Sequence, residues 1–157
     1  MKKLLVLGFA GVLFACGPLS EKDRKTLQEG RALQRIQKVS EAEILEMAFS
    51  QGREITQRES LLKEIAIRDS LEFYYKAQIT WIGANPSPSD RIENKLMEAY
   101  LAESFQQDSL YDNVQKVGMD TLLYTKPIAR RDSIGELKVL GLWAVYFTQK
   151  ELILSMD

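Results

Sequence analysis

Hydrophobic residues recur at near-helical spacing through the first third of the chain, with charged residues between them. From Glu21 to Ile55 this pattern predicts one long helix with an apolar stripe formed by Leu33, Ile36, Val39, Ile44, Met47 and Ala48. The stripe packs either against the rest of the chain or against a partner chain. A second helix is predicted from Glu59 to Tyr75, with an apolar side formed by Leu61, Leu62, Ile65, Leu71 and Tyr75.

The middle of the chain changes from a strand pattern to a loop and then back to a helix. Gln78–Ile82 is short and rich in residues that favour strands, whereas Gly83–Ser89 contains glycine, proline and serine residues that interrupt regular structure. Asp90 and Glu93 resemble the two ends of a capping box. They predict the start of a third helix, which ends at Phe105 and has Ile92, Leu96, Met97, Tyr100 and Leu101 on its apolar face.

Beyond Asn113 the spacing of apolar residues becomes typical of strands. Thr121–Ile128 and Val139–Thr148 are predicted to pair as antiparallel strands, and a further strand is predicted around Val114–Val117. Gln149–Met156 closes the chain as a short helix or a strand extension. Helices come first and a small sheet follows, so the predicted fold class is α+β, with long N-terminal helices packed on a small antiparallel sheet.

The N-terminal residues have the organisation of an export signal. Met1–Lys3 is positively charged, and Leu4–Ala15 follows without a charged residue. This apolar run is shorter than the roughly 20 residues that a membrane-spanning helix needs. Leu13–Cys16 resembles a lipobox, although Phe14 is bulkier than the residue usual there. We therefore predict a lipoprotein signal peptide at residues 1–15, with cleavage before Cys16 and a lipid on its thiol.

The single cysteine limits how the mature chain is stabilised. Cys16 has no second cysteine to pair with, so the folded region depends on its own core instead of a disulfide. Residues 16–20 are expected to form a lipidated tether and residues 21–157 a single domain. The predicted partner is the membrane, through the lipid. Because Gly17 replaces the aspartate that retains some lipoproteins in the inner membrane, we expect the outer membrane, facing the periplasm.

Composition argues against nucleic-acid binding and against most catalytic sites. Without Lys2 and Lys3 the chain has 19 basic and 22 acidic side chains, and it contains no histidine. A slightly acidic chain does not favour nucleic acid. Ser104, Ser109 and Ser133 lack a nucleophile-elbow pattern and a histidine to activate them. The carboxylates have the spacing of solvated helix faces, so the expectation is that the protein is not an enzyme.

Four motifs in the second half occur in a familiar order. They are Asn85-Pro86, the helix Glu93–Phe105, the strand Leu123–Ile128 with its Pro-Ile end, and Gly141–Val145 with a central tryptophan. In this order they resemble the periplasmic PAS-like haem-binding domains known as c-type haem family proteins, over roughly residues 60–150. The resemblance implies a PAS-like sheet in a bacterial lipoprotein or sensor region, with a small ligand or a partner bound on one face.

The reactive centre of that family is missing from this chain. The family carries a Cys-x-x-Cys-His motif between its last two strands, whereas Ala129–Leu140 contains neither cysteine nor histidine. Covalent haem attachment is therefore excluded, and no cofactor is expected. Noncovalent haem remains an alternative, with a tyrosine, a lysine or one of four methionines as the iron ligand: Met47, Met97, Met119 and Met156.

Aromatic residues and one arginine are the candidate ligand contacts. Tyr124, Trp143 and Trp81 fall on predicted strands, where alternate residues share a face, so Tyr124 and a tryptophan could line one cavity. Arg130, next to Arg131 and close to Ser133, could hold an anionic group. The competing interpretations are an ordinary aromatic core and a solvated turn.

Three hypotheses for function follow from the sequence. The first is a lipid-anchored, haemless PAS-like domain that binds a small ligand or an envelope protein in a sensory or accessory role. The second is a redox protein with noncovalent haem. The third is a structural lipoprotein whose long N-terminal helix pairs with another chain through Ile36 and Ile44.

Overall fold

The computed structural model describes residues 20–36, 39–85, 91–106 and 109–156. Within these ranges it contains five helices and one four-stranded antiparallel sheet. The helices are α1 (Glu21–Ile36), α2 (Glu41–Thr56), α3 (Ile65–Tyr75), α4 (Ile92–Ser104) and α5 (Gln149–Leu154). The strands are β1 (Gln78–Gly83), β2 (Asn113–Lys116), β3 (Thr121–Arg131) and β4 (Leu137–Thr148). The predicted α+β class is confirmed. The predicted signal peptide and Cys16 lie outside the described residues.

The sheet is built around one long hairpin. Its strand order is β1-β4-β3-β2, and each neighbouring pair is antiparallel. At the hairpin turn the Asp132 carboxylate accepts the backbone N–H groups of Ile134 and Glu136, and Gly135 has a φ of 88°. This positive φ favours glycine because residues with a side chain rarely adopt it, although nothing lies within 4 Å of a Cβ at this position. The turn therefore fixes the pairing of the two longest strands at this end of the hairpin, up to the register shift between Ile128 and Ala129.

Helices cover both faces of the sheet. On the first face, which we call the α2 face, the buried residues come from α2, α5 and alternate strand positions: Ile44, Ala48, Ile55, Tyr124, Trp143, Val145, Phe147, Leu152 and Ile153. On the second face, the α4 face, the buried residues include Met97, Tyr100, Leu123, Val139, Leu142 and Ala144. Successive residues of β4 point to opposite faces of the sheet, and both faces are buried, so apolar residues occur on both sides of this strand.

The predicted long N-terminal helix is wrong as a single element, because Ser40 begins a new helix. The Ser40 hydroxyl accepts the Glu43 backbone N–H at 3.3 Å, and the Glu43 carboxylate accepts the Ser40 N–H at 2.8 Å. This reciprocal capping box satisfies backbone donors at a helix start. The hydrophobic stripe continues past Ser40 because α2 has its own buried face, on which Ile44 and Ala48 lie.

Two other helix starts differ from the predictions. Turns occupy residues 57–64, so α3 begins at Ile65 rather than near Glu59, and Ile65 is 65% exposed instead of buried. The N-cap of α4 is Arg91, without a side-chain cap. Asp90, the other half of the predicted capping box, lies outside the described residues, and the Glu93 carboxylate accepts from Arg91 Nη2 at 2.7 Å.

The remaining elements match the sequence pattern closely. The predicted strands around Gln78–Ile82, Val114–Val117, Thr121–Ile128 and Val139–Thr148 correspond to β1 to β4, and the C-terminal segment forms the short helix α5. In the part of the chain that the structure describes, none of the helices combines the length and apolar character that crossing a bilayer requires.

Candidate ligand-binding cleft

Tyr124 lies at the centre of the α2 face, where α2 comes very close to β3. The tyrosine side chain is fully buried, and a Cβ atom on Gly52 would lie only 2.3 Å from its ring carbon Cγ. Only glycine allows the helix backbone to rest on the ring at this distance. The contact fixes α2 against the sheet and brings the last turn of α2 beside Tyr124.

The hydroxyl end of Tyr124 belongs to a hydrogen-bond network that joins three segments. It donates to Asp112 Oδ2 at 3.1 Å and lies 3.2 Å from Thr56 Oγ1. Asp112 also accepts from Arg53, with Nε to Oδ2 at 2.6 Å and Nη2 to Oδ1 at 3.0 Å. This two-point contact sets the plane of the guanidinium. The network therefore holds α2, the segment before β2 and strand β3 in one arrangement.

The network has well-defined protonation states. The Arg53 hydrogen bond and the Tyr124 hydroxyl hold the pKa of Asp112 below its usual range despite partial burial. Burial, and then the Asp112 charge, raises the pKa of Tyr124 far above that of a free tyrosine. At neutral pH the carboxylate is therefore ionised and the phenol is neutral. A neutral phenol that already donates to a carboxylate is a positioning group and a poor proton acceptor.

Lys126 adds a second cation beside this network. It lies two residues after Tyr124 on the same face of β3, and its ammonium donates to the Thr56 backbone carbonyl at 3.2 Å. That carbonyl belongs to the last residue of α2, where unpaired carbonyls give the helix end a partial negative charge. The contact uses one of the three N–H donors of Lys126.

An open cleft of about 330 Å³ runs over this group of side chains. Its walls are Arg53, Gln57, Leu110, Tyr111, Asp112, Tyr124, Lys126 and Pro127. A second cleft of about 280 Å³ lies between α4 and the same Tyr111–Asp112 pair. Tyr111 is 70% exposed between the two spaces. The result is a polar groove with an exposed aromatic ring beside two cations and one carboxylate.

Of the residues predicted as ligand contacts, Tyr124 alone lines this cleft. Trp143 shares the α2 face with Tyr124, but it is only 2% exposed. Its indole packs against Trp81, with ring centroids 5.0 Å apart, and the Trp81 ring covers Gly141 so closely that a Cβ there would lie 2.3 Å away. Trp143 is a core residue, and neither tryptophan is among the lining residues of the cleft.

Arg130 lies in the hairpin, away from the cleft. It is exposed and pairs across the strands with Lys138. Six residues of strand separate it from Tyr124, which corresponds to about 20 Å. The neighbouring Arg131 donates from Nη1 to the Gly135 carbonyl at 2.8 Å and so braces the turn. The structure therefore does not bring Arg130 together with the aromatic candidates.

The methionines considered as haem ligands lie in different environments. Met97 is fully buried on the inner side of α4, whereas Met119 is 88% exposed beyond β2. Met47 and Met156 are partly buried at the edge of the α2-face core. Packing or solvent exposure accounts for the position of each of these methionines. Haem ligation by any of them stays a prediction.

The sequence interpretation missed three charged residues of the cleft wall, Arg53, Asp112 and Lys126, and also the buried Thr56, which bonds to Tyr124. One signal for them was present. Gly52 and Thr56 occur four residues apart on the apolar stripe that also carries Ala48, and a glycine inside a helix is unfavourable unless close packing requires it. A small residue followed by a buried hydroxyl on that stripe indicates a polar contact at the end of α2.

Comparisons with protein-family models, with curated proteins and with solved structures find no match to this chain. The PAS-like resemblance therefore rests on the sequence motifs alone. Two of these motifs, Leu123–Ile128 and Gly141–Val145, lie on the adjacent strands β3 and β4. Tyr124 belongs to the first of these motifs. Among the described residues that line the cleft, it alone is completely shielded from solvent.

Proposed function

We propose that this chain is a lipid-anchored protein of the bacterial cell envelope whose PAS-like domain binds a small ligand, without haem and without chemistry of its own, in a sensory or accessory role. The observation that supports this most is the cleft beside Tyr124. Its charged groups are already held in place by hydrogen bonds, and preorganised polar groups in a concave site are typical of ligand binding.

The chemistry of the cleft favours a ligand with hydrogen-bond acceptors, such as a carboxylate. Arg53 uses its Nε and one Nη on Asp112, and Lys126 uses one N–H on Thr56, so both retain donor capacity. Arg53 and Lys126 give two positive charges against the single negative charge of Asp112. The exposed ring of Tyr111 offers an apolar surface beside them.

The same geometry supports a binding role over a catalytic one. The raised pKa of Tyr124 keeps its phenol protonated at neutral pH, so the candidate general base in the cleft lining is the Asp112 carboxylate. Asp112 is ionised, but it already accepts from Arg53 and Tyr124. A ligand held between Arg53 and Lys126 would contact both α2 and β3. Its binding would therefore act on the position of α2, one of the N-terminal helices, relative to the sheet.

A panel of small carboxylates tests the proposal on the full-length chain in mild detergent. Acetate, succinate, citrate and the acidic amino acids are screened by thermal shift, and positive compounds are followed by native mass spectrometry at one-to-one stoichiometry. Lys126→Ala should abolish the shift, because it removes a donor from the cleft wall. Lys138→Ala, a lysine of β4 in the distant hairpin, is the matched control and should bind as the wild type does.

Two results would contradict the proposal. One is an equal loss of binding in Lys126→Ala and Lys138→Ala, which would indicate nonspecific charge attraction. The other is a saturable Soret band on titration with haem, abolished by substitution of one methionine or tyrosine. That band would indicate a noncovalent haem protein instead.

A further inference from the structure

A second groove beside α2 shares no lining residue with the Tyr124 cleft. It has a volume of about 440 Å³ and is formed by three helices. Its lining comes from α2, from the end of α3 and from α5: Met47, Ser50, Gln51, Glu54, Tyr74, Tyr75, Lys76, Glu151, Leu154 and Ser155. A hydrogen bond of 2.6 Å from Gln51 Nε2 to Ser155 Oγ joins α2 to α5 along it.

Two tyrosine rings form a corner of this groove. The rings of Tyr74 and Tyr75 have centroids 4.9 Å apart and planes 80° apart, and Tyr74 is 76% exposed. Met47 and Leu154 give apolar surface within the same groove. Aromatic faces carry negative charge density and attract cations, so the corner and its apolar surroundings suit a cation with an aliphatic body.

The charges around the corner have the sign that such a ligand needs. Glu54 and Glu151 both line the groove, and burial, followed by the neighbouring Glu54 carboxylate, raises the pKa of Tyr75 to about 12. The lysine of the groove, Lys76, has a left-handed backbone with φ of 52°, and its ammonium lies 3.8 Å from the centroid of the Phe73 ring. Lys76 is the one cation among the described lining residues of the groove and is engaged on an aromatic ring, whereas the lining supplies two carboxylates. The charge of Arg58 also acts on Tyr75 at the corner.

We propose that this groove binds an organic cation, namely an ammonium group on a short carbon chain. The two carboxylates supply the opposite charge, the tyrosine corner supplies ring faces for the ammonium, and Met47 and Leu154 contact the carbon chain. A volume of about 440 Å³ accommodates a ligand of the size of choline or a short diamine.

Isothermal titration of the full-length chain in mild detergent with choline and with 1,5-diaminopentane tests the assignment. Both cations should bind one-to-one. Glu54→Gln should weaken binding about fivefold and Tyr74→Leu, which keeps an apolar side chain but removes the ring face, about threefold. Glu98→Gln is the matched control, because Glu98 is an exposed glutamate of α4, across the sheet.

A neutral ligand and the control variant test whether the groove recognises positive charge. The uncharged choline analogue 3,3-dimethylbutan-1-ol should bind at least about tenfold more weakly than choline. Equal binding of the two would show that the groove recognises shape and not charge, and would overturn the assignment. So would an absence of saturable binding by either cation, or an equal loss in Glu98→Gln and Glu54→Gln. Circular dichroism of each variant verifies that the fold is retained.

Discussion

At the scale of single residues, Gly52 and Tyr124 determine how closely helix α2 approaches the sheet. The tyrosine ring occupies the space that a side chain at position 52 would need. Because Arg53 and Thr56 follow in the next turn, the position of the cleft depends on this contact. A residue without a side chain is thus a structural requirement of the site.

Gly52→Ala should destabilise the fold even though alanine favours helices. Its Cβ would lie 2.3 to 2.6 Å from three ring carbons of Tyr124, so the helix or the ring must shift. Overpacking of a buried site costs about 1–3 kcal/mol of unfolding free energy, measured by urea denaturation. Gly30→Ala is the control, since nothing lies within 4 Å of a Cβ there. Unchanged stability in Gly52→Ala would contradict the close contact.

Asp112 should make the free energy of unfolding depend on pH. Its pKa is lowered in the folded state, mainly by Arg53, so its contribution is present above the unfolded value of about 3.9 and is lost as the pH falls through the folded value. The stability difference between the wild type and Asp112→Asn should therefore be larger at pH 7 than at pH 3. Urea denaturation at both values measures it, with Asp69→Asn, an exposed aspartate of α3, as control. A pH-independent difference would refute the ionic role.

Prediction from the sequence was least complete for the individual residues of the cleft. Tyr124 could be singled out because its strand pattern placed it on a buried face. Asp112 could not, because its partners are distant in sequence: Arg53 is 59 residues away and Tyr124 is 12 residues away across a strand pairing. Local periodicity contains no information on which charged residues meet after folding.

At the scale of elements, Ser40 separates the two N-terminal helices. Its capping box with Glu43 starts α2 at a defined residue, and α2 then contributes Ile44, Ala48 and Ile55 to the core. The Ser-x-x-Glu motif is present in the sequence, but the hydrophobic stripe runs through it without a change of period. Periodicity alone therefore merged two helices, whereas capping chemistry separates them.

Ser40→Ala should lower the unfolding free energy by about 1 kcal/mol, because it leaves a backbone N–H of the first turn of α2 without its partner. Thermal or urea unfolding measures the change. Ser70→Ala is the matched control, since Ser70 is exposed within α3 and its hydroxyl donates to the Ala66 carbonyl of its own helix. Equal effects of the two substitutions would argue against the capping role.

The division of the N-terminal segment into α1 and α2 weakens the hypothesis that one long helix pairs with another chain. Ile44, one of the two residues proposed to contact a partner chain, is 2% exposed within the domain's own core. A charge at this position would unfold the domain and would not report on association. The position of Ile44 is explained by packing within the chain.

At the scale of the whole molecule, the fold class followed from the change of period along the chain. Helical spacing in the first half and strand spacing after Asn113 were sufficient for an α+β prediction, because each spacing reflects which side of an element is buried. The clefts could not be predicted in this way. The Tyr124 cleft forms where α2, β3 and the segment before β2 meet, and the second groove forms where α2, α3 and α5 meet. Such meeting points depend on tertiary contacts.

The proposed lipid on Cys16 would decide where the domain works, and one experiment measures it directly. Intact mass spectrometry of the membrane-extracted chain is compared for untreated cells, globomycin-treated cells and Cys16→Ser. We expect a mature form that begins at Cys16 and carries a diacylglycerol lipid, accumulation of the lipidated precursor under globomycin, and no lipid on Cys16→Ser. A Cys16→Ser chain with the same mature form as the wild type, together with no response to globomycin, would contradict the lipoprotein assignment.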